Sequence, residues 1–540
     1  MPIMDGATLD PKKLAEKTFD ICIVGAGAVG IAMAHRLYRR GLEVVVLESG
    51  SQNARESSDD NPGWGARRWI DPIAKELDCG TIDSHLSTIR PAFLTQSRTR
   101  AYGGSTNCWG GFIRPMDSYD FKDWPIKRED LQDGLQNNFY KDALALVKLS
   151  HWDLFDRPEA WNDLAGLKGA DNLIPFDTKL LDSCGLKTVV IQQQTSTAIL
   201  DFQEQFHWVF DDQQGNITLI RNATALDMNY FSNFVNHINC QALLSATTRG
   251  QEFTVKAKKF VLAMGGLEIP RFLLISQGKK NDLPPQIGHN YLNHPKFVNC
   301  ARATFNGVSI PRATRDFYAG LTPLREQPTN QIQAYIVPTE AALAQKAIRN
   351  FRVAVIDDLG NPDNHSFHVE LNMELTRNTS AKAISLSEND KEEDIFHNRK
   401  MEFKWDIVQQ DIDTYNGAML QIRDFFSKLS GKSINDETWW QQMTWVEGPL
   451  PKTDLGGNGT YTGDHHIGTC AMSGIGTGVV DRNCLISKGA ANLYICSSAV
   501  FPTGAGWANS TLTLLAIALR LADHLKSTAH DNTPGPTLDT

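Results

Sequence analysis

Apolar and polar residues near the N-terminus follow a pattern that predicts a strand, a helix and a second strand in succession. Ile21–Val24 is a short, fully apolar run of the kind that a buried parallel strand needs. Val29–Arg40 places apolar residues at helical spacing, and Gly41 is suited to ending that helix. Leu42–Leu47 is mostly apolar again. The pattern predicts a βαβ unit, preceded by a leader at 1–18 with little periodicity.

Two further kinds of pattern follow along the chain. Apolar runs at 217–222 and 255–263 predict more buried strands. Alternating positions at 331–337 and 367–375 instead predict antiparallel strands within a long mixed segment of α+β character. The last pattern, Thr511–Lys526, predicts a strongly amphipathic helix.

Three glycines and one acid fall where the βαβ unit would bind a dinucleotide. Gly25 allows the tight turn out of the first strand, Gly27 leaves space for a pyrophosphate, and Gly30 lets the helix pack close to the strand. The helix N-terminus adds free N–H groups and the positive end of a dipole. Glu48, after the second strand, is placed to accept hydrogen bonds from ribose hydroxyls. This spacing predicts dinucleotide binding without choosing between FAD and a nicotinamide.

Two glycine-rich loops and a histidine pair complete the candidate chemistry. The loop at 98–111 contains four glycines, so it can lie flat against a ligand or simply form a tight turn. The loop at 501–510 leads into the C-terminal helix, whose N-terminus is suited to an anion. From the residues alone, His465 and His466 are equally compatible with a structural role, with one ring packed and the other exposed.

Composition narrows the class of protein. A chain of 540 residues exceeds one compact core, so two domains or interleaved layers are expected. The net charge of −9 argues against nucleic acid or an anionic membrane as the main partner. Nine scattered cysteines, without a C-x-x-C spacing, favour reduced thiols in a cytoplasmic protein. No signal peptide, membrane span or metal-ligand spacing is expected.

Several spaced motifs, in order, resemble those of the glucose-methanol-choline (GMC) oxidoreductases. Their order along the chain is far more specific than any one of them. The motifs are GAGAVG with Glu48, YGGSTNCWGG, VLAMGGLEIPR, GHNYLNHP around His294, HHIGTCAM, GVVD and NLYICSSAVFPTGAGWANSTLT.

The resemblance implies an α/β Rossmann-like FAD-binding domain of GMC type and an α+β substrate domain built on an antiparallel sheet. Both domains are expected to be discontinuous along the chain. The expected segments are FAD-binding at 15–116, 205–297 and 459–526 (the last with the catalytic residues), substrate-binding at 117–204 and 298–458, and a tail at 527–540.

The resemblance also implies roles for individual residues. The catalytic histidine of the family stands three residues before the Gly of a Gly-Thr pair, which is His465 here. The second active-site residue, His or Asn, falls on Asn509, while His466 falls at a variable position. Cys108 stands where pyranose oxidases carry a histidine linked to the flavin, so non-covalent FAD is expected. The implied cofactor contacts are Gly25, Gly27, Gly30, Glu48, Gly103, Gly104, Ser105, Asn107, Cys108, Trp109, Ala225, Ala499, Ser510 and Thr511.

The expected reaction is the oxidation of an alcohol by the flavin. His465 would take the hydroxyl proton and Asn509 would hold the developing alkoxide, while a hydride moves to flavin N5. The His–Asn pair is most similar to the pyranose oxidase and choline oxidase branches, which favours a sugar, glycoside or polyol, with O₂ or a quinone as acceptor. The alternatives are a dehydrogenase acting on a non-sugar alcohol, with a quinone or protein acceptor, and a non-oxidative relative such as a lyase. Aromatic residues that could stack on a sugar, or belong to the core, are Trp161, Tyr335, Trp439, Trp440, Trp445 and Trp507.

Overall fold

A computed structural model describes the chain in a series of ranges. These are 3–50, 79–84, 97–107, 109–132, 138–149, 151–158, 161, 174–194, 200–245, 248–277, 282–306, 308, 310–320, 322–323, 329–357, 364–377, 382–388, 392–405, 407–446, 460–462, 465–473, 477–504, 506 and 508–529.

Helices and strands are interleaved along these ranges. The helices are α1 Pro11–Glu16, α2 Ala28–Leu37, α3 Glu129–Gln132, α4 Phe139–Leu146, α5 Asp153–Asp156, α6 Thr178–Ser183, α7 Phe202–Phe206, α8 Trp208–Asp211, α9 Gly265–Gln277, α10 Arg312–Ala319, α11 Glu340–Lys346, α12 Gln409–Ser430 and α13 Thr511–Ser527. The strands are β1 Ile3–Asp5, β2 Thr18–Val24, β3 Val44–Leu47, β4 Cys79–Ser84, β5 Leu186–Gln194, β6 Ile217–Arg221, β7 Thr224–Phe231, β8 Phe234–Ser245, β9 Thr248–Leu262, β10 Pro295–Asn306, β11 Thr322–Pro323, β12 Asn330–Pro338, β13 Phe351–Asp357, β14 Asn364–Met373, β15 Ile384–Leu386, β16 Met401–Trp405, β17 Trp440–Gln442, β18 Thr460–Thr462 and β19 Leu493–Ile495.

The first sheet, called the mixed sheet here, has the order β1-β6-β3-β2-β9-β8-β7, with β19 beside β9. The neighbouring strands β1, β6, β3, β2 and β9 pair in parallel. The strands β7 and β8 add an antiparallel hairpin beside β9 at one edge. The strands β2 and β3 are almost fully buried, as their continuous apolar runs predict. The carboxyl ends of β2, β3 and β9 therefore meet at one edge, where the glycine turn lies.

The second sheet, called the antiparallel sheet, has the order β11-β12-β13-β14-β10-β17, with β5 beside β12 and β18 beside β10. One of its faces packs on the long helix α12: Phe297 of β10 meets Tyr415, with ring centroids 5.0 Å apart, and Phe305 meets Phe426 at 5.4 Å. The opposite face carries the polar side chains of the candidate site. A third, small sheet joins β15, β16 and β4.

Helix α13 lies against α2 and α4. Its leucines and alanines are buried, as the amphipathic pattern predicts. Arg36 of α2 bonds to both carboxylate oxygens of Asp523 on α13, at 2.8 and 2.7 Å, and to Asp142 of α4 at 3.1 Å. This ion pair fixes the orientation of α13, and so of the loop that precedes it.

Most of the predicted elements are confirmed, with shifts at their ends. The alternating stretches at 331–337 and 367–375 are the antiparallel strands β12 and β14. The expectation of a leader before residue 18 is wrong: β1 pairs in parallel with β6, and α1 follows it. Strand β1 has only three residues, too few for a periodicity to be visible. Among the described helices, none has the length and apolar character needed to cross a membrane.

Candidate functional site

The glycine turn after β2 has the shape that its spacing predicts. Gly25 has a φ of +107°, in the region that favours glycine. A Cβ on Gly30 would lie 1.9 Å from the carbonyl oxygen of Gly25, so α2 packs on the turn only because residue 30 lacks a side chain. Helix α2 begins after Gly27, and no side chain within the described ranges caps it. Its first N–H groups therefore point toward the space where a phosphate would bind.

Glu48 lies buried directly after β3 and closes this turn. Its carboxylate accepts the N–H of Ala26 at 2.9 Å and the N–H of Gly50 at 2.7 Å. Burial raises the pKa of Glu48, and the two backbone hydrogen bonds oppose that rise. A carboxylate offers about four lone-pair sites, so acceptor capacity remains for ribose hydroxyls. The structure brings Glu48 to the turn, and its contact with a ribose stays a prediction.

The loop after residue 100 packs against the glycine turn through its backbone. The N–H of Gly103 donates to the carbonyl of Ala26 at 2.9 Å. A Cβ on Gly104 would lie only 2.8 Å from the Cα of Gly27, so the two glycine segments touch where side chains would keep them apart. Asn107 braces the loop with its amide N–H, but its buried Oδ1 has no hydrogen-bond partner in the described part of the chain.

The other predicted cofactor contacts lie at the ends of neighbouring elements. Trp109 donates its indole N–H to a backbone carbonyl at 2.8 Å, and Ser105 is exposed. Ala225 belongs to β7, and Ala499 is buried in the short turn after β19. Cys108, on which the expectation of non-covalent FAD rests, lies outside the described residues.

These features fit a bound FAD. The uncapped N-terminus of α2 suits a pyrophosphate, and the contact between Gly27 and Gly104 forms a backbone cradle that a Cβ would fill. The orphaned Oδ1 of Asn107 is an acceptor that a flavin N–H would satisfy. Ser510 and Thr511 open α13, and the Ser510 side chain does not cap it. That helix end is a second place for negative charge.

His465 meets a second buried histidine. Its Nδ1 lies 2.9 Å from Nδ1 of His294, and the two rings contact edge to face. The other nitrogen of His294, Nε2, bonds to the carbonyl oxygen of Gly504. The antiparallel bridge between Leu292 and Ile467 holds the two histidine segments side by side. A role for His294 beyond its motif was not predicted from the sequence.

The hydrogen-bond partners assign the protons on both rings. The Gly504 carbonyl can only accept, so His294 carries its proton on Nε2 and accepts at Nδ1 when the ring is neutral. The proton between the two rings therefore belongs to His465 Nδ1, which leaves His465 Nε2 with a free lone pair. Burial lowers the pKa of His294 to about 4. The pKa of His465 lies well below its usual value because of burial and then the charges of His294, Arg352 and His466.

The neighbouring His466 points elsewhere. Its Nε2 lies 2.8 Å from the hydroxyl of Ser97, and its Nδ1 lies 2.9 Å from the hydroxyl of Tyr291. The ring is buried and bonded at both nitrogens, so it supports the segment that carries His465.

Two buried carboxyl groups lie beside the loop before α13, and no sequence pattern indicates them. Glu374 accepts the N–H of Gly504 at 2.7 Å. Asp120 accepts the amide of Asn350 at 2.9 Å, and a Cβ on Gly506 would fall 2.7 Å from the same oxygen of Asp120. Burial and two neighbouring acids raise the pKa of Asp120 to about 8. These acids lie far apart in sequence and become neighbours only through the fold.

Asn509 is half-buried at the end of this loop, directly before Ser510.

Of the aromatic residues considered for sugar stacking, four tryptophans are part of the main hydrophobic core, which contradicts a stacking role. Trp507 lies outside the described residues. The core tryptophans are Trp161, Trp439, Trp440 and Trp445. Tyr335 is different, because it belongs to a separate apolar cluster on the polar face of the antiparallel sheet.

Comparisons with known proteins agree with an FAD-binding fold of GMC type. Residues 379–518 match the family described as GMC oxidoreductase, and residues 20–121 match the family described as FAD dependent oxidoreductase. The chain is 39% identical over 54 residues to D-amino acid dehydrogenase 2 of Pseudomonas aeruginosa. That match spans 10% of this chain and 13% of the relative.

Two solved structures share the fold over nearly the whole chain. Pyridoxine 4-oxidase from Mesorbium loti gives a TM-score of 0.52 at 15% identity, covering 94% of this chain and 99% of that one. Formate oxidase of Aspergillus oryzae RIB40, in a structure concerned with FAD modification, gives 0.53 at 15% identity, covering 95% and 99%.

Proposed function

The chain is an FAD-dependent oxidoreductase with a GMC-type C-terminal region, and from that premise we propose that it oxidises a CH–OH group of a sugar, glycoside or polyol to a carbonyl. The observation that carries this proposal is the histidine pair, which presents a neutral imidazole nitrogen as a base. The electrons pass to O₂ or to another acceptor such as a quinone.

His465 takes the hydroxyl proton at Nε2. Its Nδ1 proton is held by His294, so the ring is fixed in the tautomer that leaves Nε2 free. Its lowered pKa keeps the ring unprotonated at neutral pH, and a general base must be unprotonated to accept a proton. When the Nε2 proton arrives, the ring becomes an imidazolium whose Nδ1–H bond to His294 strengthens.

Asn509 and the end of α13 complete the proposal. The Asn509 amide orients the hydroxyl and holds the alkoxide as it forms, which is the electrostatic role of such donors. Bound FAD supplies the hydride acceptor, held by the glycine turn and by the loop at 103–109. The N-terminus of α13 favours negative charge on that cofactor.

The test is an anaerobic visible spectrum of the holoprotein, titrated with sugars, glycosides, polyols and choline and then opened to air. Bleaching of the flavin band by a sugar or polyol supports the proposal, and the rate of recolouring in air distinguishes an oxidase from a dehydrogenase. A flavin that no alcohol bleaches contradicts it.

Substitution then assigns the base. His465→Ala is expected to slow flavin reduction roughly 100- to 10,000-fold with FAD still bound. Asn509→Ala is expected to slow it less, also with FAD bound. His207→Ala is the matched control, because this histidine is 59% exposed on the surface. A rate of flavin reduction in His465→Ala within about threefold of the wild-type rate would contradict the assignment.

A further inference from the structure

The polar face of the antiparallel sheet carries a row of three side chains across neighbouring strands. Arg352 of β13 lies directly opposite Asn372 of β14, and Asn372 lies directly opposite Lys296 of β10. Residues opposite each other in a sheet point to the same face. Their neighbours along the strands, Val353 and Leu371, are fully buried in the core on the other side.

This row lies at the end of the sheet next to the two histidines. His294 comes directly before β10 and Glu374 directly after β14, and the two strands are antiparallel, so both residues lie at the same end of the sheet as the row. Glu374 holds the N–H of Gly504, whose carbonyl accepts from His294. The row therefore lies over the loop that supports His465.

The two cationic side chains of the row differ in whether a carboxylate pairs with them. Lys296 pairs with Glu370 on the same face, with Nζ and Oε1 2.6 Å apart. Arg352 has no carboxylate within ion-pair distance in the described ranges, and its guanidinium lies 4.7 Å from the centroid of the Tyr335 ring. The charge of Arg352 also contributes to the lowered pKa of His465 and of His294, which places the guanidinium near both rings.

Two buried polar atoms of the row lack partners within the described part of the chain. These are Nη1 of Arg352, a donor, and the amide Oδ1 of Asn372, an acceptor, in a residue only 6% exposed. The two residues are cross-strand neighbours, yet the two atoms do not bond to each other. A buried donor and acceptor left unpaired cost free energy that a ligand can recover. A carboxylate would satisfy the guanidinium, and a neighbouring hydroxyl would satisfy Oδ1.

From this arrangement we infer that Arg352 and Asn372 form a subsite for the carboxylate and an adjacent hydroxyl of the substrate, so that the alcohol oxidised at His465 is a polyhydroxy acid. This inference rests on the proposed function and narrows its substrate class. Lys296 and Glu370 border the subsite as an ion pair without net charge, so the positive charge of the subsite is that of Arg352.

The test compares gluconate with glucitol, a polyol with the same chain length but no carboxylate. Anaerobic stopped-flow mixing of the holoprotein with each ligand, at ionic strength matched with sodium chloride, gives the dissociation constant from the dependence of the flavin reduction rate on ligand concentration. Gluconate is expected to bind at least about tenfold more tightly than glucitol, as a charge-assisted contact predicts. Binding of the two within threefold, or no gluconate-dependent change, overturns the inference.

Variants separate the role of Arg352 from the overall charge of the protein. Arg352→Met is expected to weaken gluconate binding about 10- to 100-fold and to leave glucitol within about twofold. Arg352→Lys keeps the charge and is expected to recover part of the loss. Arg312→Met is the control, since it removes the same charge from a side chain that is 84% exposed. Equal loss for both ligands in Arg352→Met contradicts the subsite. Failure of the oxidation proposal shows separately, as a flavin that no alcohol bleaches.

Discussion

The two sides of the candidate site are built to hold their ligands by different means. On the mixed-sheet side, the cradle consists of backbone N–H groups and of the close contact with Gly27 that the missing side chain of Gly104 allows. On the antiparallel-sheet side, the proposed subsite consists of the side chains of Arg352 and Asn372. The first suits any ligand with a pyrophosphate, whereas the second suits one class of substrate.

This difference determines what each side tolerates. A backbone cradle does not depend on the charge of any side chain, but it cannot accept an added Cβ at Gly104, because the neighbouring atoms are main chain and cannot move aside. A side-chain subsite accepts changes of size more readily but depends on the charge and on the hydrogen-bonding atoms. Variants on the first side should alter cofactor content and stability, and variants on the second should alter substrate binding.

The largest effect on stability is expected from Gly30→Ala. The new Cβ would lie 1.9 Å from the Gly25 carbonyl oxygen, so α2 must move away from the turn. We expect the free energy of unfolding to fall by about 3 kcal/mol, as overpacking against a rigid neighbour does, and the flavin content to fall with it. The measurements are the ratio of flavin to protein absorbance and the unfolding midpoint in denaturant.

Gly41→Ala is the matched control for this prediction. Gly41 has a positive φ, +80°, which Gly30 does not, but a Cβ there would meet nothing within 4 Å. Its cost is limited to the left-handed backbone, roughly 1 kcal/mol, and its flavin content should stay at the wild-type level. Equal loss of flavin in both variants would mean that close packing of α2 on the turn does not hold the cofactor.

The same contrast explains how much of the site could be predicted from the sequence. The glycine turn of the cradle follows from local spacing, because Gly25, Gly27 and Gly30 lie within one turn and one helix start. The subsite depends on the register of three strands, in which Lys296, Arg352 and Asn372 become neighbours only after pairing. No local pattern encodes that register, and the same holds for the acids behind the loop, Asp120 and Glu374.

The aromatic residues show the same limit. The residue type alone does not distinguish a tryptophan that stacks on a ligand from a tryptophan in the core. Only the burial seen in the structure assigns the four tryptophans to the core. The short strand β1 could not be predicted from the sequence, because three residues are too few to show an alternation of apolar and polar positions. The βαβ unit and the final helix were predictable because their apolar patterns are long.

A smaller effect, on rate, is expected at His294, which links the two sides by fixing the proton of His465. His294→Leu removes the acceptor of the His465 Nδ1 proton, and we expect flavin reduction to slow about 10- to 100-fold, the loss of one charge-assisted hydrogen bond. His294 also accepts from the imidazolium that His465 becomes on taking a proton. Its removal should therefore lower the pKa of His465 further and move the acid limb of the reduction rate to lower pH in this variant.

His294→Gln distinguishes positioning from packing. Its amide retains one acceptor and one donor, so it can still accept from His465 and donate to Gly504. We expect it to recover most of the lost rate and to keep the acid limb near that of the wild type. If Leu and Gln give the same rate and the same pH profile, His294 does not set the tautomer.

The smallest effect concerns the loop between the two sides and appears as a pH dependence of stability. The pKa of Asp120 is raised to about 8 by burial and by its acidic neighbours, so the folded chain keeps a proton that the unfolded chain loses near pH 4. Between these values the contribution of Asp120 to stability falls as pH rises, by at most about 1.4 kcal/mol per pH unit. Asp120→Asn cannot titrate, so its unfolding midpoint should rise relative to the wild type between pH 5 and 8.

Asp436→Asn is the control, because hydrogen bonds from Thr438 lower the pKa of Asp436 and place its titration below this range. A constant difference between Asp120→Asn and the wild type from pH 5 to 8 would mean that Asp120 is already ionised in the fold.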